Sequence, residues 1–137
     1  MPRSAHIRSE RGQAAVEFAL VLPLLVVLFL GIVEFGIAFN NYVTLTDAAR
    51  VGARNAITMR VGGTTVDEAK QAVRSAAGDL NQSKLDVNVD DPTDPNFQTA
   101  GSQITVTATY PYTIDIPLLG LSLMSGTLTS TAAERLE

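Results

Sequence analysis

The chain has no cysteine and a single histidine among its 137 residues. Disulfides therefore cannot staple the fold, and neither thiol chemistry nor a cysteine-ligated metal is open to it. His6 stands alone in a polar tail, without a partner for metal binding or acid–base work. Basic residues are scarce: 10 Lys and Arg stand against 14 Asp and Glu, for a net charge of −4. Residues 1–12 carry three arginines against one glutamate, a net of +2, which leaves −6 on the remainder. An acidic body argues against nucleic acid, whose phosphates need a basic face. There is no Gly-rich phosphate loop, no HExxH, and no Ser or Cys with a basic partner by pattern. The cluster Asp86, Asp90, Asp91 and Asp94 lacks the ligand order and glycine of an EF-hand and reads as a solvated acidic turn. Together these absences predict a protein that is not an enzyme, with no catalytic residues, no metal and no cofactor.

The apolar content is concentrated instead. From Gln13 to Val33 the only polar residues are Gln13 and Glu17. At about 1.5 Å per residue this stretch covers about 31 Å as a helix, close to the ~30 Å hydrocarbon core of a bilayer. Its uncharged part, Phe18–Val33, is slightly short, so the span works best if Glu17 enters the membrane or its flanks snorkel. The basic segment ahead of it places the N-terminus in the cytoplasm and the acidic body across the membrane. Residues 1–12 read as a flexible basic leader, 13–39 as the transmembrane helix and 40–137 as an extracytoplasmic head. Pro23 leaves the carbonyl of Ala19 without its helical donor, so a local bend or loosened turn is expected there.

The helical pattern continues beyond the apolar run: either the helix is near-continuous from about Gln13 to Arg60, the favoured reading, or Asn40-Asn41 breaks it at the water interface. Ala49, Gly52, Ala53 and Ala56 form one narrow stripe of small side chains, which allows another backbone to approach closely. Arg50 and Arg54 lie one turn apart on the same side. Gly62-Gly63 ends the element, and Thr64 or Thr65 caps a second helix that carries Asp67 and Glu68 in its first turn and ends near Asn81. Beyond it, Leu85–Asp90 and Gln103–Tyr110 alternate as half-buried strands do. Asp91–Asn96 is a turn-rich loop. Pro111 and Pro117 confine Tyr112–Ile116 to an edge or an extension. Pro117–Leu121 is an apolar excursion suited to lie against the membrane or a partner, and Gly126–Arg135 supplies a last strand. The predicted fold is α+β: a long N-terminal helix, one packing helix and a small antiparallel sheet of about three strands.

A lone carboxylate at the head of a lipid-compatible stretch is costly and marks a functional site. A cut after Gly12 would expose a new α-amine on Gln13, one helical turn from Glu17. That ammonium could neutralise Glu17 within one chain or between neighbours; alternatively Glu17 snorkels to the headgroups. The residues leave both readings open.

The string RGQAAVEFALVLPLLVVLFLGIVEFG (Arg11–Gly36), followed by TLTDAARVGARNAI (Thr44–Ile57), resembles the TadE-like proteins, pilin-like (pseudopilin) subunits of the Tad/Flp branch of type IVb pili. The resemblance implies a pilin-like fold and cleavage of the Gly12–Gln13 bond by a prepilin peptidase of the inner membrane. It assigns Glu17 and Phe18 to processing and subunit docking. Pro23, Glu34, Ala49, Arg50, Gly52, Ala53, Arg54 and Ala56 fall in the matched region, with helix-packing or salt-bridge duties. The implied role is that of a minor subunit in pilus assembly, surface adhesion and biofilm formation. Its partners would be the peptidase, other pilin-like subunits, inner-membrane Tad assembly proteins and the lipid bilayer. The major Flp pilins are shorter and carry Glu-Tyr where this chain has Glu17-Phe18, which favours the minor role. Two competing readings are an uncleaved, single-pass anchored binding domain and a secreted protein cut after Gly36-Ile37-Ala38.

Overall fold

The computed structural model describes residues 6–62, 65–90, 103–116 and 120–135. One helix, α1 (His6–Gly62), makes up the first of these segments. It is followed by α2 (Val66–Ala76) and by three strands, β1 (Asp86–Val89), β2 (Gln103–Ile116) and β3 (Leu121–Arg135). The α+β architecture expected from the sequence is the one observed.

α1 runs without a break through Pro23 and through Asn40-Asn41. It begins at His6, inside the segment read as a flexible leader. Ser9, Glu10 and Arg11 are all compatible with a helix, and one glycine inside it costs only about 1 kcal/mol. Thr65 is the N-cap of α2: the Glu68 N–H donates to its Oγ1 at 3.3 Å, and its own N–H donates to Glu68 Oε2 at 2.7 Å. This is a reciprocal capping box. Replacing Thr65 with alanine is expected to lower head stability by about 1 kcal/mol, measured as faster amide exchange in α2. α2 stops at Ala76, about one turn before the expected end at Asn81. Gln82 explains this: its side-chain amide donates to the carbonyls of Ala77 and Leu80 and closes a turn in place of further helix. Ala77 and Leu80 stay buried all the same.

The sheet is antiparallel in the order β1-β2-β3. β1 ends at Asp86 opposite Thr109, so Pro111 falls where β2 has a partner on one side only. A proline is tolerated there because it removes no ladder bond. β2 therefore continues to Ile116, and β3 begins at Leu121, five residues before the expected start. Beyond Tyr110 the two strands form a two-stranded ribbon. Past the end of β1, Asp90 extends the ladder through its side chain: Oδ2 accepts from the Thr105 N–H at 3.1 Å. The acidic loop from Asp91 to Asn96, the Thr64 alternative and Pro117–Leu119 lie outside the described residues.

The core lies between the C-terminal half of α1, α2 and one face of the sheet. Leu45, Ala48, Ala49, Ala53 and Ala56 of α1 meet Ala69 and Val73 of α2 and Ile104, Val106 and Ala108 of β2, all fully buried. The small-residue stripe thus faces the chain's own head. At Gly52 a Cβ would stand 2.2 Å from Val73 Cγ2 and 3.2 Å from Val106 Cγ1, so only glycine admits α2 and β2 this closely.

Candidate functional site

α1 is two helices in chemistry and one in geometry. Its C-terminal half is buried on one face by the head. Its N-terminal half is apolar and bare: Leu20, Leu24 and Phe29 are 76%, 70% and 65% exposed. None of the apolar stretch within Gly12–Thr58 is buried, and it is long and apolar enough to cross a bilayer. A row of bare leucines, valines and phenylalanines would be unfavourable in water by about 25 cal/mol per Å² of apolar surface. Lipid or the helices of neighbouring subunits remove that cost.

At the head of this stretch, Gln13 Nε2 donates to Glu17 Oε1 at 3.1 Å, one turn along the helix. Among the described residues the partner of the carboxylate is thus a neutral amide. Phe18 beside it is 60% exposed. Nothing stands within 4 Å of a Cβ built on Gly12, so the bond to Gln13 is open on that side. Pro23 is exposed on the same bare stretch.

The remaining predicted residues separate into two groups. Ala49, Gly52, Ala53 and Ala56 are structural, spent on packing the head. Arg50 and Arg54 point away from the core and line an open groove of about 460 Å³ between α1 and β3, with Val51, Ser130 and Glu134. Arg50 pairs with Asp47 at 3.8 Å, and with side chains 72% and 69% exposed the pair contributes little to stability. Glu34 is half-buried and lines a small cavity of about 150 Å³ with Asn41, Lys84, Tyr110 and Tyr112. Sequence reasoning did not anticipate this meeting of Glu34 with the sheet. Its only signal was a charge placed one residue beyond the apolar run. Of the acidic cluster, Asp86 is exposed and Asp90 is committed to the β2 backbone.

The class of protein is now defined: a small α+β head built onto the far end of a helix whose near half suits a membrane. Residues 12–54 match the family model described as TadE-like protein, the family whose motifs the sequence resembles. The matched segment contains Gly12, Gln13, Glu17, the bare apolar stretch and most of the packing stripe. It supports a Tad-pilus-associated, pilin-like role, with association to pilus components and to the membrane. No curated protein and no solved structure matches the chain.

Proposed function

We propose that this protein is a non-enzymatic, minor pilin-like subunit of a Tad pilus assembly system. It is cut by a prepilin peptidase between Gly12 and Gln13. It is held in the inner membrane by α1, with its N-terminus in the cytoplasm and its head outside, until it joins other pilin-like subunits. Through that assembly it serves surface adhesion and biofilm formation. One observation carries the reading: a single unbroken helix presents Glu17 and a bare apolar stretch at one end and packs the core of a small head at the other.

Such a helix has two suitable environments, the bilayer and the interior of a helical fibre. Glu17 sets the difference between them. With only the Gln13 amide beside it, the carboxylate is costly in lipid, by roughly 2.5–3.5 kcal/mol at mid-bilayer and less near the surface. Cleavage adds an ammonium one turn away, and a well-aligned, hydrogen-bonded pair with it offsets part of that cost, because a buried charge left without a counter-ion is penalised most. If the ammonium comes from a neighbour, the pair sets the axial register of one subunit against the next. The Gly12–Gln13 bond lies within α1, so the peptidase must unwind the first turns before it can cut, and Gly12 lowers the cost of doing so.

The intact mass and N-terminus of the protein recovered from membranes test this reading. A chain starting at Gln13, lost when Gly12 is substituted, is the expected result. An uncut chain as the working form would favour an anchored binding domain and overturn the proposal. Glu17→Gln is expected to insert in the membrane at the normal level while incorporation into pili falls by tenfold or more, about 1.4 kcal/mol or greater in docking. Normal incorporation of that variant would remove the docking role.

A further inference from the structure

The β2–β3 ribbon reaches beyond the core and lies along α1. Ser130 and Glu134 line one groove with Arg50 and Arg54, and Tyr110 and Tyr112 line another with Glu34 and Asn41. Travelling along the ribbon from the first pair to the second is therefore travelling down α1 toward its bare stretch. Thr113 pairs with Ser125, and the strands continue to Ile116 and Leu121. Three more residues add about 10 Å, which matches six or seven residues of helix at about 1.5 Å each. The tip of the ribbon is thus level with the last two turns of the apolar stretch, whereas Leu123 and Met124, only one or two residues past Thr113, lie about 3–7 Å below the level of Glu34, at the outer edge of that stretch.

The composition changes at the same level. Tyr110 and Tyr112 stand beside Glu34, where a water–lipid boundary favours aromatic residues with a polar tip. Past them the register shifts between Ile114 and Asp115: Ile114 pairs with Met124 and Asp115 with Ser122, so Leu123 has no residue opposite. Such a bulge re-aims side chains. Leu123 and Met124 are 60% and 55% exposed, with Tyr112 Oη donating to Met124 Sδ at 3.3 Å. The one charge beyond Tyr112, Asp115, accepts from Ser122 Oγ at 2.6 Å.

We infer that the end of the β2–β3 ribbon, through Leu123 and Met124, seats in the head-side interface of the bilayer that α1 spans, as a second membrane contact. The occupant of this apolar surface is phospholipid, because the surface continues the bare stretch of α1 at the same depth. The seating is shallow. A two-stranded ribbon has open backbone edges, which the hydrocarbon centre excludes, whereas the headgroup region hydrates them and tolerates Asp115. Two contacts fix the tilt and rotation of the head on the membrane, which one helix alone leaves free. This inference rests on α1 spanning the bilayer.

The chain has no tryptophan, so single substitutions act as reporters. Leu123→Trp, Leu25→Trp and Asn88→Trp, each in the full chain reconstituted in phosphatidylcholine vesicles, are quenched by lipids brominated at different depths. Leu25 reports the span, and Asn88, exposed on β1, reports the solvated head. The expected result is Leu123 quenched several-fold more than Asn88, most strongly by bromines nearest the headgroups. Leu25 should be quenched most by deep bromines. If Leu25 is quenched and Leu123 matches Asn88, the ribbon contact is overturned and the span stands. A Leu123 signal that shifts with protein concentration but not with brominated lipid assigns the surface to a second copy and overturns the proposal. An unquenched Leu25 overturns the span and the ribbon contact together.

Discussion

Gly52→Val is expected to open the head while leaving α1 helical. The added Cβ would fall 2.2 Å from Val73 Cγ2, and its methyls would go further into α2. Val73 cannot swing aside, because a β-branched residue in a helix has one strongly preferred χ1 rotamer. Val106 closes the other side at 3.2 Å. Helix propensity favours valine over glycine by a few tenths of a kcal/mol, too little to offset overpacking that costs about 1–3 kcal/mol or more. Hydrogen exchange of the full chain in detergent micelles checks this: amides of β2 at Val106 and Ala108 should lose protection by tenfold or more. Adding Val73→Ala should recover part of the loss, since the atom that clashes is gone. Strictly additive costs would show that the close approach is not what matters at Gly52.

Leu45→Ala carries the other large effect, in the opposite sense. Leu45 is fully buried where α1 enters the head, and it is among the largest of the fully enclosed side chains. Its truncation leaves a cavity between α1 and the sheet that the small alanines around it cannot collapse to fill. The expected cost is about 2–5 kcal/mol, at the upper end because Ala48 and Ala49 hold the backbone close. Denaturant unfolding in micelles, followed by tyrosine circular dichroism, should show a lower midpoint with an unchanged slope. Leu25→Ala, a similar truncation on the bare stretch, should leave that midpoint nearly unchanged, because Leu25 is 48% exposed and lies outside the core cluster of the head. Together the two variants test whether α1 is divided between a membrane half and a core half.

Where the chain's information is local, reading the residues alone was enough. A helix long and apolar enough to cross a membrane follows from composition, because that capacity needs only a nearly continuous apolar run. The stop at Gly62, the cap at Thr65 and the first-turn acids of α2 follow from nearest-neighbour hydrogen bonding. Alternation at Asp86–Val89 and Gln103–Tyr110 marked the two strands whose one face is buried. The ribbon beyond Tyr110 was not legible to the same degree. Tyr112–Ile116 alternates, but Pro111 argued against a strand that the early end of β1 makes possible, and the bulge at Leu123 interrupts the alternation of Leu121–Ser125.

The candidate site divides in the same way. Gly12, Gln13, Glu17 and Phe18 stand out in the sequence because a charge among apolar residues is visible without coordinates. Glu34 and the arginines do not declare themselves, since their neighbours, Lys84 and Tyr110 on one side and Ser130 and Glu134 on the other, are supplied by segments distant in the chain. The stripe Ala49, Gly52, Ala53 and Ala56 was visible as a surface for close approach, but the identity of what approaches was not. By itself, then, the sequence determined a helix long and apolar enough for a membrane, its acidic head residue and the class of the head, since each depends on periodicity and composition within a few turns. Only the tertiary structure decided that the stripe closes against Val73 and Val106 and that β2 and β3 run on as a ribbon beside the apolar stretch. Those outcomes depend on which distant segments meet, and a single strand or helix face carries no record of its partner.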